Sequence, residues 1–218
     1  MSGARERVLA NIRRSLRRAG PLTDSVAAGL DQRLRAPRAN LKPRYDEDPV
    51  ERFIAKTERV SGMVTRVKRA SGISKVVEEH VDRFSLSDDL VVAPDPALED
   101  ITWSNRFRVE RRAAQGSDQT SVTAAYAGVG ETGTVVLLSG AHSPTTLNFL
   151  PEDHLIVLRR SRIVPHLEDV WTLLREERDG LPRTVNLITG PSRTGDVEQI
   201  IQEGAHGPRR LHVILLED

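Results

Sequence analysis

The chain has 218 residues and a mass of 24.2 kDa, with 38% apolar residues, enough for one domain with a sizeable core and an added arm. It contains no cysteine, which excludes disulfides, thiolate zinc sites, thiolate nucleophiles and cysteine-held iron–sulfur clusters. The net charge of +1 hides an asymmetry: residues 1–44 carry +8 and the remainder −7, a basic arm on an acidic body.

No apolar run approaches the roughly 20 residues of a membrane span, and the first twenty residues are rich in arginine where a secretory leader would be apolar. A cytoplasmic chain without a membrane span is expected. Nucleic acid is not expected as a partner, because the aromatics that stack on bases are scarce and none lies in the basic stretch before Tyr45.

Val8, Ile12 and Leu16 recur every four residues and predict an amphipathic basic helix ended by Gly20-Pro21. Such a stripe can pack on the body or on a second copy, as in a homodimer formed through this helix. Residues 21–45, with Pro21, Pro37 and Pro43, read as an extended connector. The division is therefore an arm and linker over 1–45 and an α/β domain over 46–218.

Asp48-Pro49-Val50-Glu51 opens a helix with a capping aspartate, proline in the first turn and Glu51 able to reach back. Met63 to Val67 alternates like a short strand. A helix with Ile73, Val76, Val77, His80 and Val81 inward follows, then an apolar strand from Leu90 to Ala93. Further strands are expected at Thr134–Leu138, His154–Leu158, Thr184–Ile188 and Leu211–Leu216. Ile163, Leu167, Val170, Trp171 and Leu174 trace a helical face, and Val197, Ile200 and Ile201 a short helix. Nearly all-apolar strands alternating with helices predict an α/β fold, a mostly parallel sheet with helices on both faces.

Ligands of open parallel sheets bind beyond the carboxyl ends of the strands, so three loops draw attention. Gly128-Val129-Gly130-Glu131-Thr132-Gly133-Thr134 sets one acid between glycines. Glu131 there can act as base or nucleophile, or simply sit solvated in a tight turn. Ser139 to Asn148, with His142, Ser143, Thr145, Thr146 and Asn148, can hydrogen-bond an oxyanion or a sugar-like ligand, although the same composition also describes a plain turn. Gly190-Pro191-Ser192-Arg193-Thr194-Gly195-Asp196, before the expected short helix, has the ingredients of an anion site: free amides, a positive dipole end and one guanidinium. Equally, Thr194 or Asp196 can merely cap that helix. His206, in Gly204-Ala205-His206-Gly207-Pro208, is the loop histidine retained as a candidate. The six histidines show no metal-ligand spacing, so no metal site is expected, and neither a Walker loop nor a dinucleotide fingerprint occurs.

The ordered set Glu131 to Leu138, Ser143 to Pro151, Gly190 to Thr194 with Asp196, and Gly204 to Pro208 resembles the LUD-domain family, most clearly over residues 120–218. The resemblance implies a fold similar to the NagB/RpiA/CoA-transferase-like superfamily. It also implies a role in L-lactate degradation beside iron–sulfur partner proteins. Thr132, Gly133, Thr134, Gly190, Ser192 and Arg193 would then belong to a site for a small carboxylate or phosphorylated ligand. Gly130 and Gly195 stand where relatives usually place alanine, which would loosen the local backbone. With no cysteine and no recognisable flavin or nicotinamide motif, no cofactor is expected on this chain, and iron–sulfur clusters are expected only on its partners. Three readings follow: a non-redox accessory subunit of lactate oxidation, a CoA- or acyl-transferring or isomerising enzyme using Glu131, or a scaffold whose pocket is vestigial.

Overall fold

A computed structural model describes residues 2–18, 20–35, 41–194 and 202–217. They fall into two compact units, Met1–Leu41 and Lys42–Asp218. The first unit holds α1 (Ser2–Ser15) and α2 (Asp24–Arg35). The second helix corrects the expectation of an extended connector: Val26, Leu30 and Leu34 keep the four-residue period of one helical face, which the flanking prolines disguise. That face, like Val8 and Ile12 on α1, is exposed.

The second unit begins with α3 (Pro49–Arg59), β1 (Met63–Val67), α4 (Ile73–Phe84), β2 (Asp89–Val92), β3 (Arg108–Arg111) and β4 (Thr120–Ala124). It continues with β5 (Ala127–Val129), β6 (Thr134–Leu138), β7 (Asp153–Arg159), β8 (Ile163–Val164) and α5 (Leu167–Glu177). The last elements are β9 (Val185–Ile188), β10 (Arg193–Thr194), β11 (Gln202–Glu203) and β12 (Arg210–Leu216). The short helix expected around Val197, Ile200 and Ile201 lies outside the described residues.

Six strands form one parallel sheet in the order β1-β12-β7-β4-β2-β3. A second, four-stranded sheet has the order β8-β5-β6-β9, in which β6 runs antiparallel to both β5 and β9. One face of the large sheet packs on α4 through Ile73, Val76, Val77 and Val81. The other meets Val50 and Phe53 of α3 together with Val135 and Leu137 of β6. Val170 and Leu174 of α5 cover the far side of the small sheet. The second face is thus closed by a helix and a small sheet, where helices were expected.

The helix α3 starts as its sequence dictates. The Asp48 carboxylate accepts hydrogen bonds from the amides of Val50 (2.8 Å) and Glu51 (3.1 Å), and Pro49 occupies the first turn. Glu51 pairs with Arg66 at 2.5 Å, so it does not complete a capping box. On the inner face, the Thr57 hydroxyl bonds the Phe53 carbonyl at 2.8 Å and the Gly133 carbonyl at 3.2 Å. A buried hydroxyl that would be costly unpaired therefore ties the helix to the turn before β6.

Several of the strands' buried polar residues are also paired. Ser121 donates to the Leu147 carbonyl at 2.7 Å, and Thr123 shares a hydrogen bond of 2.8 Å with the fully buried His154. At the amino ends of the strands, Arg210 donates two hydrogen bonds to Asp153 at 2.5 and 2.6 Å. His80 meets the same carboxylate at 2.8 Å. Burial alone would raise the Asp153 carboxyl, but the hydrogen bonds from His80 and Arg210 overcome this and hold it below the ordinary range.

Candidate functional site

The carboxyl ends of the parallel strands open into a cleft of about 540 Å³. Its floor is apolar and built from residues at or near the ends of neighbouring strands: Ala124 at the end of β4 with Ala125 after it, Val157 in β7 and Leu216 in β12. Asp95, Pro96 and Ala97 close one side; the Asp95 carboxylate accepts from the Ala97 amide at 2.9 Å and fixes that turn. Ser139 to Ser143 close another, and the His142 Nδ1 donates to the Pro94 carbonyl at 3.0 Å, which binds the two rims together.

The third wall is cationic, with Arg159, Arg162 and Arg178 beside Tyr126 and Glu177. Arg162 grips Glu177 with two hydrogen bonds of 2.7 and 3.0 Å, bonds the Tyr126 carbonyl at 2.9 Å and lies 4.6 Å over the Tyr126 ring. The Tyr126 hydroxyl donates to Glu177 at 2.7 Å. These bonds, from Arg162 first and then Tyr126, hold the Glu177 carboxyl down to about 2. Burial, reinforced by Glu177, pushes the Tyr126 phenol up. The wall is thus a Tyr–Glu–Arg unit, and Arg159, Arg178 and Asp95 are the other charged residues of the lining.

Of the residues singled out from the sequence, Ser143 lines this cleft. Thr145, Thr146 and Asn148 lie in the short 3-10 turn that follows, against β4, with Asn148 buried and its Oδ1 lacking a hydrogen-bond partner among the described residues. The Glu131 turn stands at the other end of the small sheet. There the Thr132 hydroxyl is 2.6 Å from that of Thr134, which is 2.7 Å from that of Thr189, so the Glu131 and Gly190 loops are linked by a chain of hydroxyls. Gly190 abuts Val60, and Arg193 donates to the Ser61 hydroxyl. The Ser192 amide donates to the Pro208 carbonyl at 2.8 Å, just before β12.

The Gly190–Thr194 loop therefore sits at the amino ends of the parallel strands, opposite the cleft. The expectation that it caps the carboxyl side is corrected for a plain reason: β9 belongs to the small sheet and runs antiparallel to β6, so its end points the other way. Arg193 and Thr194 themselves form a strand paired with Gln202 and Glu203. Asp196 lies outside the described residues, and His206 is exposed in the turn before β12.

Glu131 is half-buried. Its amide donates to the Pro165 carbonyl at 2.9 Å, and its carboxylate lies 3.4 Å from Nδ1 of His166, whose ring is 5.2 Å from that of Tyr45. Gly130 does not loosen this turn: a β-carbon there would stand 2.7 Å from the Pro49 carbonyl, so glycine admits a close approach of α3. At Gly133 the backbone has φ +71°, and a β-carbon would stand 2.5 Å from the Thr57 amide nitrogen. Among the described residues, no group of three or more histidines or acids is placed to hold a metal ion, and no helix is long and apolar enough to cross a membrane.

Sequence reasoning missed Asp95, Tyr126, Arg159, Arg162, Glu177 and Arg178. A signal was available for part of this set: Arg159 and Arg162 follow the apolar run His154 to Leu158, and Asp95 follows Leu90 to Ala93, so each charge stands at the carboxyl end of a strand.

The chain is thus an α/β domain with an amphipathic cleft at the carboxyl edge of its parallel sheet, the edge at which ligands of open sheets bind. The chain belongs to the LUD-domain family, whose domain matches residues 50–216. It is 31% identical over 172 residues to the uncharacterized protein YkgG of Escherichia coli K12, covering 72% of each chain. It is 30% identical over 141 residues to Lactate utilization protein C of Anoxybacillus flavithermus, covering 65% of this chain and 61% of that one. Among solved structures it is similar in fold to a DUF162 family protein of Deinococcus radiodurans, with a TM-score of 0.60, 19% identity, and coverage of 80% of this chain and 99% of the other.

Proposed function

We propose that this chain is a non-redox accessory subunit of L-lactate degradation that binds a small carboxylate or phosphorylated anion in the cleft at the strand ends. Relatives named lactate utilization protein C support the first half of this reading. The carrying observation for the second is the cleft itself, with its apolar floor and its wall of Arg159, Arg162 and Arg178. Oxidation of L-lactate to pyruvate releases two electrons and two protons. A chain without cysteine holds no thiolate-ligated cluster to receive those electrons, so they pass to iron–sulfur partner proteins. This subunit then contributes binding and orientation.

The test is genetic and biochemical. Deleting the gene should abolish growth on L-lactate, and the tagged full chain should co-purify with iron-containing partners. Arg178→Glu should restore growth poorly. Oxidation of L-lactate by the purified chain alone, with an added electron acceptor, would overturn the proposal.

A second reading, in which Glu131 serves as base or nucleophile in acyl or CoA transfer or in isomerisation, draws support from the 3.4 Å approach of Glu131 to His166. It requires Glu131→Gln to abolish an activity, and a trapped thioester at Glu131 would establish the transferase form.

A further inference from the structure

We propose that the cleft takes a phosphorylated ligand of nucleotide size, an inference that rests on the cleft being the chain's ligand site. Lactate has six non-hydrogen atoms and occupies about as much space as three or four waters, roughly 100 Å³, whereas the cleft offers about 540 Å³. Clefts of this size enclose ligands several times larger than a three-carbon acid. A lone lactate would touch one wall and leave the others wet.

Ala97, Ala124, Ala125 and Val157 are small or short side chains on the floor and side, and they leave space for a flat apolar body such as a base. The guanidinium wall is built to persist: Arg162 is held by Glu177 and by the Tyr126 carbonyl. Arg159 and Arg178 stand on the same side. Guanidinium groups match phosphate oxygens with paired hydrogen bonds. Ser139 and Ser143 of the same lining supply hydroxyls that suit a ribose or further phosphate oxygens. Guanidinium groups, small apolar floor residues and hydroxyls lining one cleft suit a nucleotide better than a simple carboxylate.

Titration calorimetry on the full chain tests this with AMP, ADP, inorganic phosphate and L-lactate as separate probes. Two variants alter exposed rim positions and spare the core: Arg178→Glu reverses a wall charge, and Ala141→Trp fills the mouth. AMP or ADP should bind more tightly than phosphate or lactate, and each variant should weaken that binding by about tenfold or more. Inorganic phosphate binding as tightly as AMP would overturn the nucleotide assignment. Lactate binding that both variants abolish, with AMP silent, would also overturn it while leaving the cleft as the functional site. Silence from every probe would overturn both.

Discussion

The Nδ1 atoms of His80 and His212 face each other at 3.0 Å, so one hydrogen lies between them and one ring donates while the other accepts. The pair continues on both sides, to Asp153 at 2.8 Å from His80 and to Thr65 at 2.9 Å from His212. The whole chain of contacts is buried or nearly so, at the amino ends of β1, β7 and β12. A proton added to the accepting nitrogen would set two N–H groups against each other.

The acid response of folding follows. Burial first, and then the neighbouring His80 and Arg83, push His212 down to about 4, while burial alone pushes His154 down to about 3. A free imidazole takes its proton near pH 6.5. Below that value the unfolded chain binds protons that the folded chain refuses, so stability is full above about pH 6.5 and drains away toward pH 4. We expect urea unfolding to show a loss of about 2 to 3 kcal/mol from His212 alone by pH 4.5. The variant His212→Gln should flatten that part of the profile; an unchanged slope would contradict the assignment.

Asp153→Asn should cost about 3 kcal/mol or more, because it leaves the Arg210 guanidinium without its carboxylate and disturbs His80. The midpoint of urea unfolding at pH 7.5 measures it. By contrast, Arg108→Ala, which removes a fully exposed pairing with Asp89, should move the midpoint little.

The glycines of the Glu131 turn separate two kinds of requirement. Gly133→Ala combines a left-handed backbone with a clash on Thr57 and should destabilise by about 2 kcal/mol or more. Gly130→Ala meets the Pro49 backbone and should cost about 1 to 3 kcal/mol as α3 shifts away. Gly140, at the cleft rim, has open space around it, and Gly140→Ala should be neutral within about 0.5 kcal/mol. Thermal unfolding of the three variants orders them.

Glu131→Gln should leave binding in the cleft intact, since β5 and β6 carry Glu131 to the far end of the small sheet from Ser139. Titration of the variant with AMP checks this; a loss comparable to that of Arg178→Glu would mean that the two ends are coupled.

Strands whose side chains are nearly all apolar were legible in the sequence, and Met63–Val67 emerged with its observed bounds. The central strand β4 was not, because Thr120, Ser121 and Thr123 look like loop residues. They are buried all the same, and the two hydroxyls that find partners do so across sequence gaps that no local pattern reveals: Ser121 with Leu147, Thr123 with His154. The position of the Gly190 loop was misread through the same limitation. Composition marked Gly190 and Arg193 as a loop after a strand, but only pairing shows that β9 lies in the small sheet and points away from the cleft. The LUD-type motifs thus proved informative about family, while residues such as Gly133 and Gly190 pack against α3.

The strand β12 is threaded between β1 and β7, and this governs when the protein can fold. A nascent chain still lacking residues 210–216 has β1 with no neighbour and β7 with an open flank, two bare edges disposed to pair with other molecules. Closure of the sheet therefore waits for β12 to leave the ribosome, and chains cut between β7 and β12 should aggregate instead of forming a shortened domain.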